Sequence, residues 1–245
     1  MSTIRLSADL TSWASDADEQ SWQTMQALGY TGLELPPERV FPEETYAHLT
    51  GATLFTGYLY QSFGLQVAAL RPSLPNLSGV PAPVAAQLLE ESVESVCRFA
   101  AACRCSTLVL PCETVPDEAF LNRCGVLAAR YQCTLALEPR GDVSTLLLCR
   151  LLKMLGIPGL AVSLNTGVLL AQGESVSALV EYLPLISHVR LCEADGGALQ
   201  SHGLYRELAL LLTGLGYQGW VSVQMQPDAP DQLKQSLEYA ASLFA

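Results

Sequence analysis

An eight-stranded β/α barrel is the fold class this sequence predicts, and three observations predict it. The chain has 245 residues, and about 250 is typical for a barrel of eight strand–helix units. Short apolar runs alternate with longer stretches of helical periodicity, the pattern of parallel strands joined by helical crossovers. No Gly-x-Gly-x-x-Gly follows the first apolar run, which weakens the alternative, a doubly wound open sheet that binds nucleotides. No linker, low-complexity segment or charge block interrupts the alternation, so residues 1–245 read as a single domain.

The elements follow in order. Arg5–Ala8 is the first strand, and Asp16–Leu28 is a helix with Ser15 placed to cap it. Gly29 ends that helix before the strand Thr31–Leu35. Pro42–Phe63 reads as mostly helical, interrupted near Gly51 and Gly57, and Leu65–Arg71 is the third strand. Val84–Cys103 is a long helix with Leu88, Leu89, Val93, Val96 and Ala100 on one face. The remaining strands are Thr107–Leu110, Cys133–Glu138, Leu160–Asn165, His188–Cys192 and Trp220–Gln224. The helices Asp117–Tyr131, Ser144–Leu155, Val176–Tyr182, Leu204–Leu215 and Asp231–Phe244 follow them in turn.

Composition narrows the function. Half of the residues are hydrophobic and 15% are charged, enough to bury a large core. A net charge of −11 repels phosphate backbones and anionic lipid head groups, so neither nucleic acid nor a membrane surface is expected as a partner. No apolar run reaches the ~18 residues of a membrane helix, and the first residues lack a signal-peptide pattern; a cytoplasmic protein is expected. The eight cysteines include no Cys-x-x-Cys pair and read as buried thiols.

Side chains alternate along a barrel strand between the pore and the helix layer. Leu135, Leu137, Leu160, Val162, Leu164, Val189, Leu191, Val221 and Val223 are the helix-facing set, which turns Glu138, Asn165, Arg190 and Gln224 into the pore. The second and third strands add Glu34 and Arg71. Each of these strands thus closes its inner row with a long polar residue, at the end where barrels place their active sites. Two readings stand: a structural ring of salt bridges, or a polar ligand pocket. Arg71, Arg140 and Arg190 near one mouth suit a carboxylate or phosphate, unless each is paired with Glu34, Glu113, Glu138 or Glu193. Glu138 is the candidate general base, and Trp13 a candidate apolar wall of the pocket. His188, one layer deeper, reads as a core histidine. Cys112 and Cys192 lie near the mouth with no histidine paired to either. Trp220 reads as packed within the barrel.

At these residues the chain resembles the xylose isomerase-like barrels, which include sugar-phosphate isomerases/epimerases, hydroxypyruvate isomerase, inosose dehydratase and endonuclease IV-type proteins. The landmarks are Gly29–Glu34 (GYTGLE), Leu137–Arg140 (LEPR), Val162–Gly167 (VSLNTG), His188–Glu193 (HVRLCE) and Gly216–Gln224 (GYQGWVSVQ). Each is weak alone; their order and spacing are more specific, and they span nearly the whole chain. The resemblance implies a (β/α)8 barrel, a small sugar or hydroxy-acid as substrate, and a homo-oligomer.

It also implies a divalent metal held by Glu, Asp, His and Glu from the fifth to eighth strands. Here the set is Glu138, Asn165, Arg190 and Gln224, and two further positions often filled by histidine carry Arg140 and Val168. Asn and Gln are weak ligands for a hard cation, and a guanidinium offers no lone pair. The expectation is therefore no metal cofactor, with Arg190 in its place and Glu138 neutralised by it. The loss of the strand-eight carboxylate removes one of the two bases that epimerisation employs. Two functions remain open: an isomerase- or epimerase-like enzyme that binds a small polar, anionic ligand at the mouth and uses Glu138 without metal, and a non-catalytic relative that serves as a small-molecule-binding or regulatory protein. A DNA-repair nuclease is disfavoured by the charge and the missing metal cluster.

Overall fold

The eight inner rows expected from the sequence meet around a closed parallel barrel, strand order β1 to β8, in a computed structural model of the chain. The structure describes residues 4–12, 19–41, 47, 49–75, 79–226 and 230–245. The strands are β1 (Arg5–Asp9), β2 (Gly32–Leu35), β3 (Gln66–Leu70), β4 (Thr107–Cys112), β5 (Thr134–Pro139), β6 (Leu160–Asn165), β7 (Ile186–Leu191) and β8 (Trp220–Val223). The helices are α1 (Glu19–Ala27), α2 (Pro37–Val40), α3 (Leu49–Phe63), α4 (Ala82–Ala102), α5 (Glu118–Tyr131), α6 (Thr145–Leu155), α7 (Thr166–Gln172), α8 (Gly203–Gly214) and α9 (Pro230–Leu243). Among the described residues no helix is long and apolar enough to cross a membrane.

Local chemistry sets the boundaries. Asp117 and Ser144 cap α5 and α6 by accepting the backbone N–H of Phe120 and Leu147, which satisfies donors that a helix start leaves open. Gly156 ends α6 at φ +60°, a conformation glycine enters without a Cβ clash. The expected break near Gly51 and Gly57 is absent: α3 runs through both. Its buried residues Ala52, Leu59 and Phe63 supply packing that outweighs the weak helix propensity of glycine. Residues 42–46 and the Asp16 end of the first expected helix, with its cap Ser15, lie outside the described residues. The region expected as a helix at Val176–Tyr182 is a 3-10 stretch, Val176–Leu185, and α7 precedes it.

The alternation of faces holds. Leu135, Leu137, Val162, Leu164, Val189, Leu191, Val221 and Val223 join the apolar layer between strands and helices. The inner residues stack in levels along the axis. At the closed end Trp220 lies in the barrel, with the Arg5 guanidinium 4.6 Å from its ring centre, a cation–π contact. Above it, Ser7 and Ser222 are paired in register across the β1–β8 seam, and their hydroxyls lie 2.6 Å apart. The His188 side chain reaches this pair, its Nε2 2.9 Å from the Ser222 hydroxyl. The uppermost level is ionic: Asp9 pairs in register with Glu34, and Asn165 with Arg190.

Trp220 explains why β2 begins with glycine. A Cβ on Gly32 would stand 2.6 Å from the Trp220 ring and 2.9 Å from the Ala68 Cβ, closer than nonbonded carbons approach. Gly32→Ala is expected to cost about 1–3 kcal/mol through overpacking, read as a lower urea midpoint at unchanged slope. An unchanged midpoint would mean that Trp220 shifts freely.

Candidate active site

β5, β7, β2 and β1 carry a cluster of buried charge into the upper barrel. Arg190 is fully buried, as are Glu34 and Glu138, and Asp9 is 1% exposed. The Arg190 guanidinium joins them: Nη1 lies 2.7 Å from Glu138 Oε2, Nη2 contacts Glu34 Oε1, and Nη2 is 3.7 Å from Asp9 Oδ2. Two further guanidiniums cover the cluster from the loops. Arg140 Nη2 is 2.5 Å from Glu138 Oε1, and Arg71 lies 3.6 Å from the same oxygen and 3.9 Å from Asp9. Three guanidiniums thus face three carboxylates. Burying a charge is costly unless it is paired, and this arrangement pairs every one.

Asp9 is the member that sequence reading missed, because the first strand was ended at Ala8. One more residue of the same alternation, inward at Ser7, turns Asp9 inward too. Its Oδ1 accepts the Thr11 backbone N–H at 2.8 Å and the Thr11 hydroxyl at 2.7 Å, leaving Oδ2 toward the arginines.

Below the ion cluster, His188 accepts or donates at both ring nitrogens: Nδ1 lies 2.9 Å from the Ser163 hydroxyl, and Nε2 lies 2.9 Å from that of Ser222. Glu34 Oε2 is 3.4 Å from Nε2. Burial pulls the imidazole pKa down to about 4, with Asp9 opposing and Arg71 assisting. His188 is therefore a neutral core histidine, as its depth in the sequence pattern suggested.

Burial pushes the Glu138 carboxyl the other way, up to about 7, against the Arg71 guanidinium and the Asn165 amide, while Asp9 adds to the rise. The direct pairs with Arg140 and Arg190 favour its ionised form as well. A carboxyl balanced near neutrality is suited to proton transfer. Arg190 is pulled down by burial and held up by Asp9; a guanidinium stays charged under such a pull.

A cavity of about 580 Å³ opens at the mouth, lined by Thr11, Arg140, Asn165, Cys192, Glu193, Asp195, Gln224 and Gln226 with neighbouring loop backbone. The site residues named from the sequence therefore divide. Arg140, Asn165 and Gln224 line the cavity. Glu34, Glu138 and Arg190 form the sealed layer, and Arg71 spans it from the side, 18% exposed. Trp13 lies outside the described residues. Asn165 also holds the local backbone, since its Oδ1 accepts the Val168 N–H at 3.2 Å, capping α7, and the Cys192 thiol at 3.0 Å. Gly167 is required beside it, since a Cβ there would meet the Glu193 carbonyl at 2.9 Å. Cys112 and Cys192 are pushed up to about 12 and about 11 by burial, which makes both poor nucleophiles.

At the cavity's floor the paired reading of the arginines is the one observed, with Asp9 joining Glu34 and Glu138. The three arginines do not wait for an anion; each is held by carboxylates of the protein. The rim adds Glu193 and Asp195. Glu193 is fixed by the Gln200 N–H at 2.7 Å, the Tyr205 hydroxyl at 3.0 Å and His202 Nε2 at 3.1 Å, interactions that the strand pattern does not reveal because they come from the loop beyond β7 and the first turn of α8.

A divalent metal does not fit these residues. Arg190 fills the space between Glu34 and Glu138, and the Asn165 oxygen is engaged as a helix cap. No group of three His, Cys, Asp or Glu side chains among the described residues is placed to hold an ion.

No family model and no curated protein sequence matches the chain. Solved structures do. The chain is similar to apo 3-keto-D-glucoside 4-epimerase of E. coli, at 15% identity and TM-score 0.77, with 98% of each chain covered. It is equally similar to D-psicose 3-epimerase of Clostridium cellulolyticum with D-tagatose, at 12% identity and TM-score 0.77, covering 98% of this chain and 97% of that one. A xylose isomerase domain protein of Planctomyces limnophilus matches at 15% identity and TM-score 0.73, covering 98% and 95%. The fold is the (β/α)8 barrel that these structures share.

Two outcomes test this description. A histidine whose folded pKa is depressed binds its proton more readily when unfolded, so its contribution to stability declines as pH falls from about 6.5 toward 4. The stability lost between pH 7 and 4.5 should shrink by about 2 kcal/mol in His188→Gln relative to wild type; equal losses would mean that His188 does not titrate in this way. Arg190→Ala leaves three buried carboxylates short of a partner and is expected to lose about 3–5 kcal/mol. Its melting temperature should rise on adding manganese, while that of the wild type should not move with manganese, cobalt or zinc. A large rise in the wild type would show that Asn165 and Gln224 still support an ion.

Proposed function

We propose that the chain is a metal-independent isomerase of small neutral polyhydroxy carbonyl compounds, with Glu138 as its base. The single observation behind this reading is Glu138 itself, a carboxyl raised to about 7 directly beneath the mouth cavity and covered there by the partly exposed Arg140. The named chemistry of the structural neighbours, epimerisation of sugars and keto-sugars, supports the same substrate class.

Charge argues for a neutral ligand. The cluster's three guanidiniums are matched by Asp9, Glu34 and Glu138, and the cavity rim carries two more acids. An anionic substrate would meet no unmatched positive charge and would be repelled by Glu193 and Asp195. The lone base argues for the reaction. Glu138 takes a proton from the carbon next to the carbonyl and returns it to the former carbonyl carbon on the same face, through an enediolate, while the proton of the neighbouring hydroxyl passes to the oxygen that was the carbonyl. Inversion at one carbon needs a second group on the opposite face, and β8 supplies only Gln224, which does not titrate. Arg140, swung from Glu138 toward the ligand, donates hydrogen bonds to the oxygen that gains negative charge. Asn165 and Gln224 offer amide donors and acceptors to hydroxyl groups.

The second reading, a binding protein without turnover, is favoured by one observation: Glu138 has no exposed surface and lies under two arginines. Deuterium exchange separates the two. With a panel of aldoses and ketoses in deuterated water, the enzyme reading expects label at the carbon next to the carbonyl, a rate that rises as pH passes about 7 and Glu138 ionises, and a loss of at least ~100-fold in Glu138→Gln, the usual scale of general-base catalysis. Saturable binding without any exchange would leave the binding reading standing.

A further inference from the structure

Far from the mouth, two thiols meet. Cys97, on α4, and Cys133, the residue before β5, bring their Sγ atoms to 3.8 Å. All eight cysteines are buried and free, and among the described residues no other pair of thiols is in such contact. The site is at the start of β5, the opposite end of that strand from Glu138.

We propose that Cys97 and Cys133 are a peroxide-sensitive modification site, forming a reversible disulfide that ties α4 to β5 at the closed end of the barrel. A disulfide needs its sulfurs at about 2.05 Å, so the pair must close by less than the width of one atom. Cys133 retains 7% exposure and Cys97 none. Only a small oxidant fits this approach, because the neighbouring helices are clasped by Glu94, which accepts from Arg130 at 3.0 Å and from the Tyr131 hydroxyl at 2.8 Å.

The environment assigns the roles. Burial pushes Cys103, Cys105, Cys124 and Cys149 up to about 12. In the Cys97–Cys133 pair the shared S–H···S contact favours ionisation of one of the two sulfurs, and Cys133 is the one with exposed surface for a peroxide to reach. A thiolate is the form that reacts with peroxide. The Cys133 thiolate attacks one oxygen of hydrogen peroxide, the O–O bond breaks, and the departing hydroxide takes up a proton to leave as water. The resulting Cys133 sulfenic acid is attacked by the Cys97 sulfur; the S–S bond forms, the S–O bond breaks, and the hydroxide released takes the Cys97 proton as a second water. Two thiols are oxidised to one disulfide and one peroxide is reduced to two waters.

The test uses the reduced full-length protein exposed to stoichiometric hydrogen peroxide, with free thiols then blocked and peptides mapped by mass spectrometry. The expected result is loss of two hydrogens from the intact mass, a peptide pair joined through Cys97 and Cys133, reversal by dithiothreitol, and a melting temperature several degrees higher in the oxidised form, since the bridge closes a long loop of the unfolded chain (36 residues in sequence separation). In Cys97→Ser, which keeps a hydrogen-bonding group beside Cys133, the Cys133 sulfenic acid has no sulfur partner and should be captured by dimedone when the peroxide-treated protein is unfolded in its presence; in Cys133→Ser no adduct should form at Cys97. Cys97 and Cys133 both recovered as free thiols from the peroxide-treated wild type would overturn the proposal. So would a disulfide joining any other pair, or a dimedone adduct on Cys97 instead of Cys133. The wild-type mapping decides the matter even where a variant folds poorly.

Discussion

The buried guanidinium of Arg190 is the constraint on which the upper barrel depends. It enters from β7 and bonds to acids from β2 and β5, with Asp9 of β1 close by. Four strands distributed around the barrel are therefore joined through one planar, permanently charged group. Such a cluster need not add net stability compared with a well-packed apolar layer. Its members cannot be removed singly, however, since each deletion strands a charge in a medium that cannot solvate it. Arg190 also rules the space it fills, since its two terminal nitrogens occupy the gap between Glu138 and Glu34.

Polarity extends downward from that layer in a graded way. Beneath the ions is a neutral hydrogen-bonded ring, with His188 joined to Ser163 and Ser222, and Ser222 to Ser7. Beneath the ring is Trp220. The imidazole is the joint between the two regimes, near enough to Glu34 to feel its charge yet buried enough to remain neutral. A barrel filled with branched apolar side chains at all levels would have no comparable way to hold carboxylates immobile under its mouth.

Much of this was legible in the sequence because the period of two along a strand is a local property. Glu34, Glu138, Asn165, Arg190 and Gln224 could be assigned a face from their immediate neighbours. Depth could not, since it depends on register between strands, and Glu138 and Gln224 turn out to sit in different layers although both end their inner rows. Pairing could not either, because Arg190 meets Glu34 only after most of the barrel has closed. Asp9 was lost to a strand end placed one residue early, and α7 was hidden because Asn165 both finishes β6 and caps the following helix, so no loop residues separate the two.

The sealing of Glu138 carries a functional consequence. A carboxylate held by Arg190 from below and Arg140 from above is correctly placed but occupied. Arg190 is locked by its other partners, whereas Arg140 is bonded to Glu138 alone among the described acids and is 32% exposed. It is therefore the member of the cluster that can leave. When it does, Glu138 loses one counter-charge and its proton affinity rises, so that the motion which uncovers the base also strengthens it. In the proposed isomerase the departing guanidinium would stay in the cavity, beside the oxygen that becomes negative in the enediolate. One residue would thus couple access to the base with stabilisation of the intermediate, and a ligand without a carbonyl oxygen to receive Arg140 would leave the base covered.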